Sequence, residues 1–195
     1  MSAFYFATAA KSAVGLVRSG NEDSAMTSRA VIAVADGMGG HAAGEVASRI
    51  AITTLAKESE IFTQDGIDLD SADDIYSSVI SSIDAIIAEF ADENPELSGM
   101  GTTLSALFLR GNAVAALHVG DSRIYRLRGN SLEQLSTDHT VIQELLTQGT
   151  ITEADVATHP QRSVLTQVLM GDGRNEPSLS IFEVKAGDRF ILCSD

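Results

Sequence analysis

The sequence has one cysteine, no tryptophan, three prolines and only 13 basic residues against 27 acidic ones. Each shortage excludes something. A lone Cys193 cannot form an intramolecular disulfide or a cysteine-based metal site, which fits a reducing compartment. With a net charge of −14 over 195 residues, no general basic patch is available for nucleic acid or for an anionic membrane surface. No apolar run reaches the ~18 residues of a membrane span. The start, MSAFYFATAA, is apolar but has no basic leader region, and Lys11 ends it early. It reads as a first strand rather than a secretion signal. The chain is expected to be cytoplasmic, with no nucleic-acid or membrane partner.

Hydrophobic residues are abundant, at 44%, enough to bury a core in one domain. The acids are unevenly spread. Lys57 to Ser98 holds twelve acids and one base, so this stretch accounts for −11 of the total charge. It contains no recognisable motif and reads as a largely solvated helical face.

Hydropathy patterns give the elements. Ala30 to Ala35 (AVIAVA) is a short apolar run typical of a buried strand. Ala42 to Lys57 reads as a helix with Val46, Ile50 and Thr53/Thr54 along one face. Ser71 looks like an N-cap, and Ile75, Val79, Ile83, Ile86, Ile87 and Phe90 form a helical stripe that Asn94-Pro95 ends. Four short strands follow, at 102–109, 113–119, 123–127 and 131–135, with Gly111-Asn112 and Gly129-Asn130 as turns. Short helices are expected over 141–148 and 152–157, and strands over 178–184 and 189–193. Helices and antiparallel strands in separate groups argue an α+β layered fold.

Four constellations could carry chemistry. Arg18-x-x-Asn21-Glu22-Asp23 places adjacent carboxylates near an arginine; such neighbours repel unless a cation compensates, although a solvated turn would read the same. Asp36-Gly37-Met38-Gly39-Gly40-His41 follows the buried strand and opens a helix, and its glycines allow close approach of an ion or phosphate, although a tight strand-to-helix turn with Asp as its polar residue would read the same. It lacks the spacing of the common nucleotide phosphate loops, so nucleotide binding is the weakest reading. Gly120-Asp121-Ser122-Arg123 and Cys193-Ser194-Asp195 repeat one grammar with Asp36, an apolar strand ending in an aspartate. Side by side, these oxygens would select a hard cation such as Mg²⁺ or Mn²⁺ over Zn²⁺.

Taken in order, the motifs resemble the protein phosphatase 2C family of metal-dependent Ser/Thr phosphatases, in its bacterial form. The resemblance runs through Val17–Asp23, Val34–His41 with Ala43–Ser48, Gly101–Leu104, His118–Tyr125, Leu135–Thr140, His159–Thr166 and Leu192–Asp195. It implies an αββα sandwich of two antiparallel sheets flanked by helices. It implies two Mn²⁺ or Mg²⁺ ions, with Asp36 bridging them, the Gly37 carbonyl on one and Asp195 on the other. Glu22 and Asp23 would act at the same metals, Asp121 with Asp195 at a third, weaker one, and Arg18 on the substrate phosphate. A hydroxide bridging the metals would then attack phosphoserine or phosphothreonine directly. The implied partners of a monomeric enzyme are phosphoproteins and an opposing Ser/Thr kinase.

Two departures from the family pattern stand out. Met38 occupies the place of a histidine found in many eukaryotic members, which leaves His41 a proton-transfer, substrate-binding or turn-capping role. His139 and His159 fall in a segment that serves the family as a flap and read as packing residues, while His118 reads as a core histidine. The family pattern also continues past Ser194-Asp195, so residues 1–195 are expected to form a single catalytic domain lacking its C-terminal elements and one metal ligand. A catalytically weak module that binds phosphoproteins without turnover is the alternative.

Overall fold

The computed structural model describes residues 4–16, 19–62 and 72–194. Among the described residues, nine strands and four α-helices follow one another as β1 (Asp23–Thr27), β2 (Val31–Met38), α1 (His41–Phe62), α2 (Ala72–Glu93), β3 (Gly101–Thr102), β4 (Leu104–Arg110), β5 (Ala113–Val119), β6 (Arg123–Arg128), β7 (Ser131–Gln134), α3 (Val141–Thr147), α4 (Glu153–Val156), β8 (Ser178–Glu183) and β9 (Arg189–Cys193). A 3-10 turn, Pro95–Leu97, closes α2 where Asn94-Pro95 breaks the helix. The N-cap expected at Ser71 lies outside the described residues.

The strands make two antiparallel sheets. The larger runs β1-β2-β4-β5-β8, with β3 added to the end of β2; the smaller runs β7-β6-β9. Strict alternation along β2 sorts its two faces. Val31, Ala33 and Ala35 enter a core shared with α1 and α2. Ile32 faces the other way, into a second core with Leu107, Leu109, Val114, Ile124, Phe190 and Leu192, which joins the two sheets. The antiparallel sandwich with flanking helices is the architecture expected from the sequence. All pairings between the named strands are antiparallel; short turns join β1–β2, β4–β5 and β6–β7, while the pairings of β2 with β3 and β4, of β5 with β8 and of β6 with β9 are long-range.

Three expectations are corrected. Residues 4–15 form no strand. Phe6 N–H donates to the Arg29 carbonyl at 2.9 Å, and Phe4 and Phe6 pack on the inter-sheet core, Phe6 edge-on to Phe190. Their alternation marks two anchors rather than a ladder. Of the expected Val46, Ile50 and Thr53/Thr54 face of α1 only Thr54 is buried; the buried face is Ala43, Ala47, Ala51, Thr54 and Leu55. Small side chains let the helix lie close on β2, and Val46 and Ile50 sit at the margin of the contact. In α2, Ile86 and Phe90 are partly exposed, while Tyr76, Ile80 and Asp84 are buried with Val79, Ile83 and Ile87.

One charged staple crosses the smaller sheet. Arg128 donates from Nε and Nη2 to the two carboxylate oxygens of Asp188, both at 2.7 Å, and so ties the end of β6 to the β8–β9 turn. Asp188 is almost wholly buried, and the two-point geometry suits a guanidinium.

The close approach of α1 to β2 yields a stability prediction. Ala47→Leu adds volume where no space exists and is expected to cost about 1–3 kcal/mol, read from the denaturant midpoint.

Candidate metal centre

Strand register brings two acidic residues level at the end of β2, with a third next to one of them in the chain. Asp23 on β1 lies directly opposite Asp36 on β2. Acidic residues directly opposite each other across an antiparallel pair repel, and a cation placed between them would lower that cost. Glu22 precedes Asp23 and is held from two sides. Its carbonyl accepts from Ser48 Oγ of α1 at 2.6 Å and from Gly37 N–H of β2 at 3.2 Å. Its side chain lies against Gly44. A Cβ on Gly44 would strike the Glu22 carboxylate, and one on Gly37 would strike the Gly44 carbonyl, so both glycines are required by space. β2 runs on through Asp36 and Gly37 to Met38, and the turn into α1 is confined to Gly39 and Gly40, both with positive φ.

The Asp36 backbone is fixed by Thr102 of β3 and by Thr103, the residue between β3 and β4. Its carbonyl accepts from Thr103 N–H and from Thr102 Oγ1, each at 2.9 Å, and its N–H donates to Thr103 Oγ1 at 3.0 Å. Thr103 Oγ1 also bonds Ser122 Oγ at 2.8 Å. A single buried hydroxyl therefore links the Asp36 strand to the Asp121-Ser122 turn between β5 and β6. The sequence shows Gly101-Thr102-Thr103-Leu104 as a motif without assigning these hydroxyls a task.

The Asp121 turn has its own clamp. His139 Nδ1 accepts from Gly120 N–H at 3.2 Å, its backbone N–H donates to the Gly120 carbonyl at 2.8 Å, and its Nε2 bonds Ser178 Oγ at 2.9 Å. Accepting at Nδ1 leaves the proton on Nε2, so His139 is neutral, and burial lowers its pKa. Beside it, Arg123 grips Asp138 with Nε and Nη2. His139 is thus a turn clamp rather than general flap packing. His159 Nδ1 accepts from Gln161 N–H in a local turn at 3.2 Å.

His118 is 2% exposed in β5, as expected of a core histidine. Ser105 Oγ spends its one proton on the Ser122 carbonyl, so His118 Nδ1 must donate to that hydroxyl, at 2.9 Å. Among the described residues its Nε2 has no hydrogen-bond partner. Burial, reinforced by the neighbouring His139, pushes the pKa down to about 4.

Arg18 and Asp195 lie outside the described residues, and His41 is placed as the first residue of α1. Of the carboxylate residues singled out by the sequence, the structure sets Asp23 opposite Asp36 with Glu22 adjoining Asp23, and joins the Asp36 and Asp121 turns through Thr103 and Ser122. Among the described residues, no three His, Cys, Asp or Glu side chains converge on one metal position. The donors present are nonetheless of the right kind, oxygen atoms from opposed strands whose repulsion a hard divalent cation would relieve. Cys193 is exposed and free.

With this geometry, comparison with known proteins identifies the class. The protein phosphatase 2C family model matches residues 20–195, and the chain belongs to that family. It is 44% identical over 187 residues to the serine/threonine protein phosphatase PstP of Mycobacterium tuberculosis, covering 96% of this chain and 35% of that protein. The serine/threonine phosphatase stp of Listeria welshimeri is 35% identical over 189 residues, with 93% of this chain and 73% of the relative covered. The crystal structure of M. tuberculosis PstP/Ppp superposes with a TM-score of 0.86 at 43% identity, covering 95% of this chain and 77% of that one. The PstP catalytic domain in complex with two manganese ions gives 0.83 at 41% identity, covering 96% and 76%. The chain therefore spans about a third of the length of full PstP. No helix among the described residues is long and apolar enough to cross a membrane.

The neutral state of His118 sets a pH dependence. Its folded pKa lies below the unfolded value of about 6.5, so between those values the unfolded chain binds a proton that the native chain does not. Stability is expected to fall as pH drops from 6.5 toward 4, with a contribution from this group on the order of 3 kcal/mol. Chemical denaturation across that range should show His118→Gln with a shallower slope than wild type.

Proposed function

We propose that this chain is the catalytic portion of a divalent-metal-dependent protein phosphatase that hydrolyses phosphoserine and phosphothreonine without a phosphoenzyme. The observation that carries the reading is the Asp23–Asp36 pair, opposed across two strands beside Glu22 at the end of the inter-sheet core. Family membership and the two manganese ions in the PstP catalytic domain support it.

In this reading Asp36, the Gly37 carbonyl, Glu22, Asp23, Asp121 and Asp195 would hold Mn²⁺ or Mg²⁺. A bound pair of such ions supplies an acidified water and positive charge for an in-line displacement at phosphorus. The chain's own residues do the rest. The buried threonine hydroxyls fix the Asp36 backbone, so the carboxylate position does not wander with the state of the substrate. Ser48 and Gly37 fix Glu22 from two elements. Arg18 would bind the phosphate oxygens bidentately, as guanidinium geometry favours. His41, at the start of α1, would serve the substrate or deliver a proton to the leaving oxygen. Phosphorylated proteins are the proposed substrates, with a Ser/Thr kinase as the opposing activity, and the proposed active unit is a monomer in the cytoplasm.

The test is Mn²⁺-dependent hydrolysis of an aryl phosphate and a phosphothreonine peptide by the full-length protein. Activity with Mn²⁺ and its loss in EDTA are expected. Asp36→Asn should lower kcat/KM by about 100-fold or more with the fold retained. Full activity in Asp36→Asn would refute the assignment. Phosphopeptide binding with no turnover would instead establish the non-catalytic module.

A further inference from the structure

The acidic stretch that reads as a solvated face contains one buried carboxylate. Asp84, in the middle of α2, is 4% exposed and sits among Ile80, Ile83 and Ile87. A carboxylate in such a place is costly unless it is hydrogen-bonded. Asp84 makes no ion pair among the described residues and is satisfied instead by three backbone N–H groups. Oδ1 accepts from Met170 at 3.1 Å and Gly171 at 2.8 Å, and Oδ2 accepts from Gly173 at 2.8 Å. The loop reaches this close only because residue 171 is glycine. Its φ is +82°, and a Cβ there would stand 2.7 Å from the Ala88 backbone.

Both ends of the segment that Asp84 holds lead to the candidate centre. At one end, buried Leu169 exchanges two backbone hydrogen bonds with Thr102, at 2.9 and 3.0 Å. Thr102 Oγ1 then donates to the Asp36 carbonyl. At the other end, Ser178 Oγ bonds His139 Nε2, and His139 holds both backbone groups of Gly120, next to Asp121. One segment, 169–178, thus touches the supports of both aspartate turns, and its middle is fastened to α2 by a single side chain. A cavity of about 300 Å³, lined by Ser77, Ser81, Asp84, Gly171, Asn175 and Pro177, lies beside the fastening and gives the segment room to shift when it is lost.

We propose that Asp84 is a positioning residue that sets the separation of the Asp36 and Asp121 turns through the 169–178 segment. The proposal rests on the reading of those turns as the metal centre. Its mechanical part stands apart from that reading, because the hydrogen-bond path is present whatever the turns bind. Groups bonded directly to metal ligands are worth about 10–100-fold in metal affinity or activity, and Asp84, which acts on Asp36 through the Leu169–Thr102 contact, is expected at the lower end of that range.

The experiment uses the full-length protein and compares wild type with Asp84→Asn, which keeps the side-chain volume but turns an N–H donor toward one of the loop donors. Amide hydrogen exchange is measured without metal, and Mn²⁺ binding by calorimetry. Loss of protection is expected at 169–173 and also at 36–38 and 101–103, with 113–117 as the unchanged control. Mn²⁺ affinity should fall by about 10-fold, and activity should return at excess Mn²⁺. Exchange that rises only at 169–173, with Mn²⁺ affinity unchanged, would overturn the proposal and leave Asp84 a local anchor. Wild type that binds no Mn²⁺ would refute the metal reading, while the exchange pattern would still decide the mechanical link. Gly173→Ala covers the case in which the asparagine variant does not fold. Its Cβ meets nothing within 4 Å, and its φ of +67° strains any other residue, so it loosens the same anchor mildly. It should show the same exchange pattern at smaller amplitude, and protection unchanged at 36–38 would count against the proposal.

Discussion

The structure of the candidate centre depends on the hydroxyl of Thr103. It accepts the Asp36 N–H from one strand and bonds Ser122 Oγ in the turn between two others. It is buried, so neither bond has water as a substitute, and an unsatisfied group here would cost the full desolvation penalty. Ser122 in turn passes its carbonyl to Ser105, which bonds His118. This polar thread runs along the face of the larger sheet that otherwise carries the inter-sheet apolar core. It gives the carboxylates at the sheet end a fixed frame without placing a charge inside the sandwich.

Much of this was legible in the sequence, for identifiable reasons. β5 matches its expected bounds because the turn glycines Gly111 and Gly120 mark both of its ends, and β9 because Gly187 precedes it and its residues alternate. Asp36 at the end of an apolar run suits a metal ligand and a plain strand-to-helix turn equally, and only the ordered set of motifs along the chain favours the former. What could not be read was anything depending on which residues approach across the fold. The alanine face of α1 looks weak by hydropathy beside Val46 and Ile50, yet close packing selects small side chains. Thr102 and Thr103 are ordinary strand residues until the Asp36 carbonyl is placed between them.

Asp84 shows the same limit in the opposite direction. Bulk composition assigns it to solvent along with its eleven acidic neighbours between residues 57 and 98. Its position on the stripe between Ile80, Ile83 and Ile87 is visible in the sequence and argues for burial. Its partners are backbone N–H groups 86 to 89 residues away, and backbone donors leave no mark in a sequence. Net charge therefore describes how the surface meets solvent, while the individual carboxylates that organise the fold are found only by position.

The smaller sheet carries a consequence for the order in which the molecule assembles. β6 pairs locally with β7, but its pairing with β9 and the Arg128–Asp188 staple close a loop of about 60 residues. β5–β8 spans a comparable stretch, whereas β1–β2 and β4–β5 are near neighbours in the chain. Long loops pay their closure entropy before their contacts repay it, so the local hairpins lead and the long-range pairings follow. Asp23 and Asp36 share the earliest kind of pairing, so the nascent chain meets their mutual repulsion before the second sheet is there to hold it.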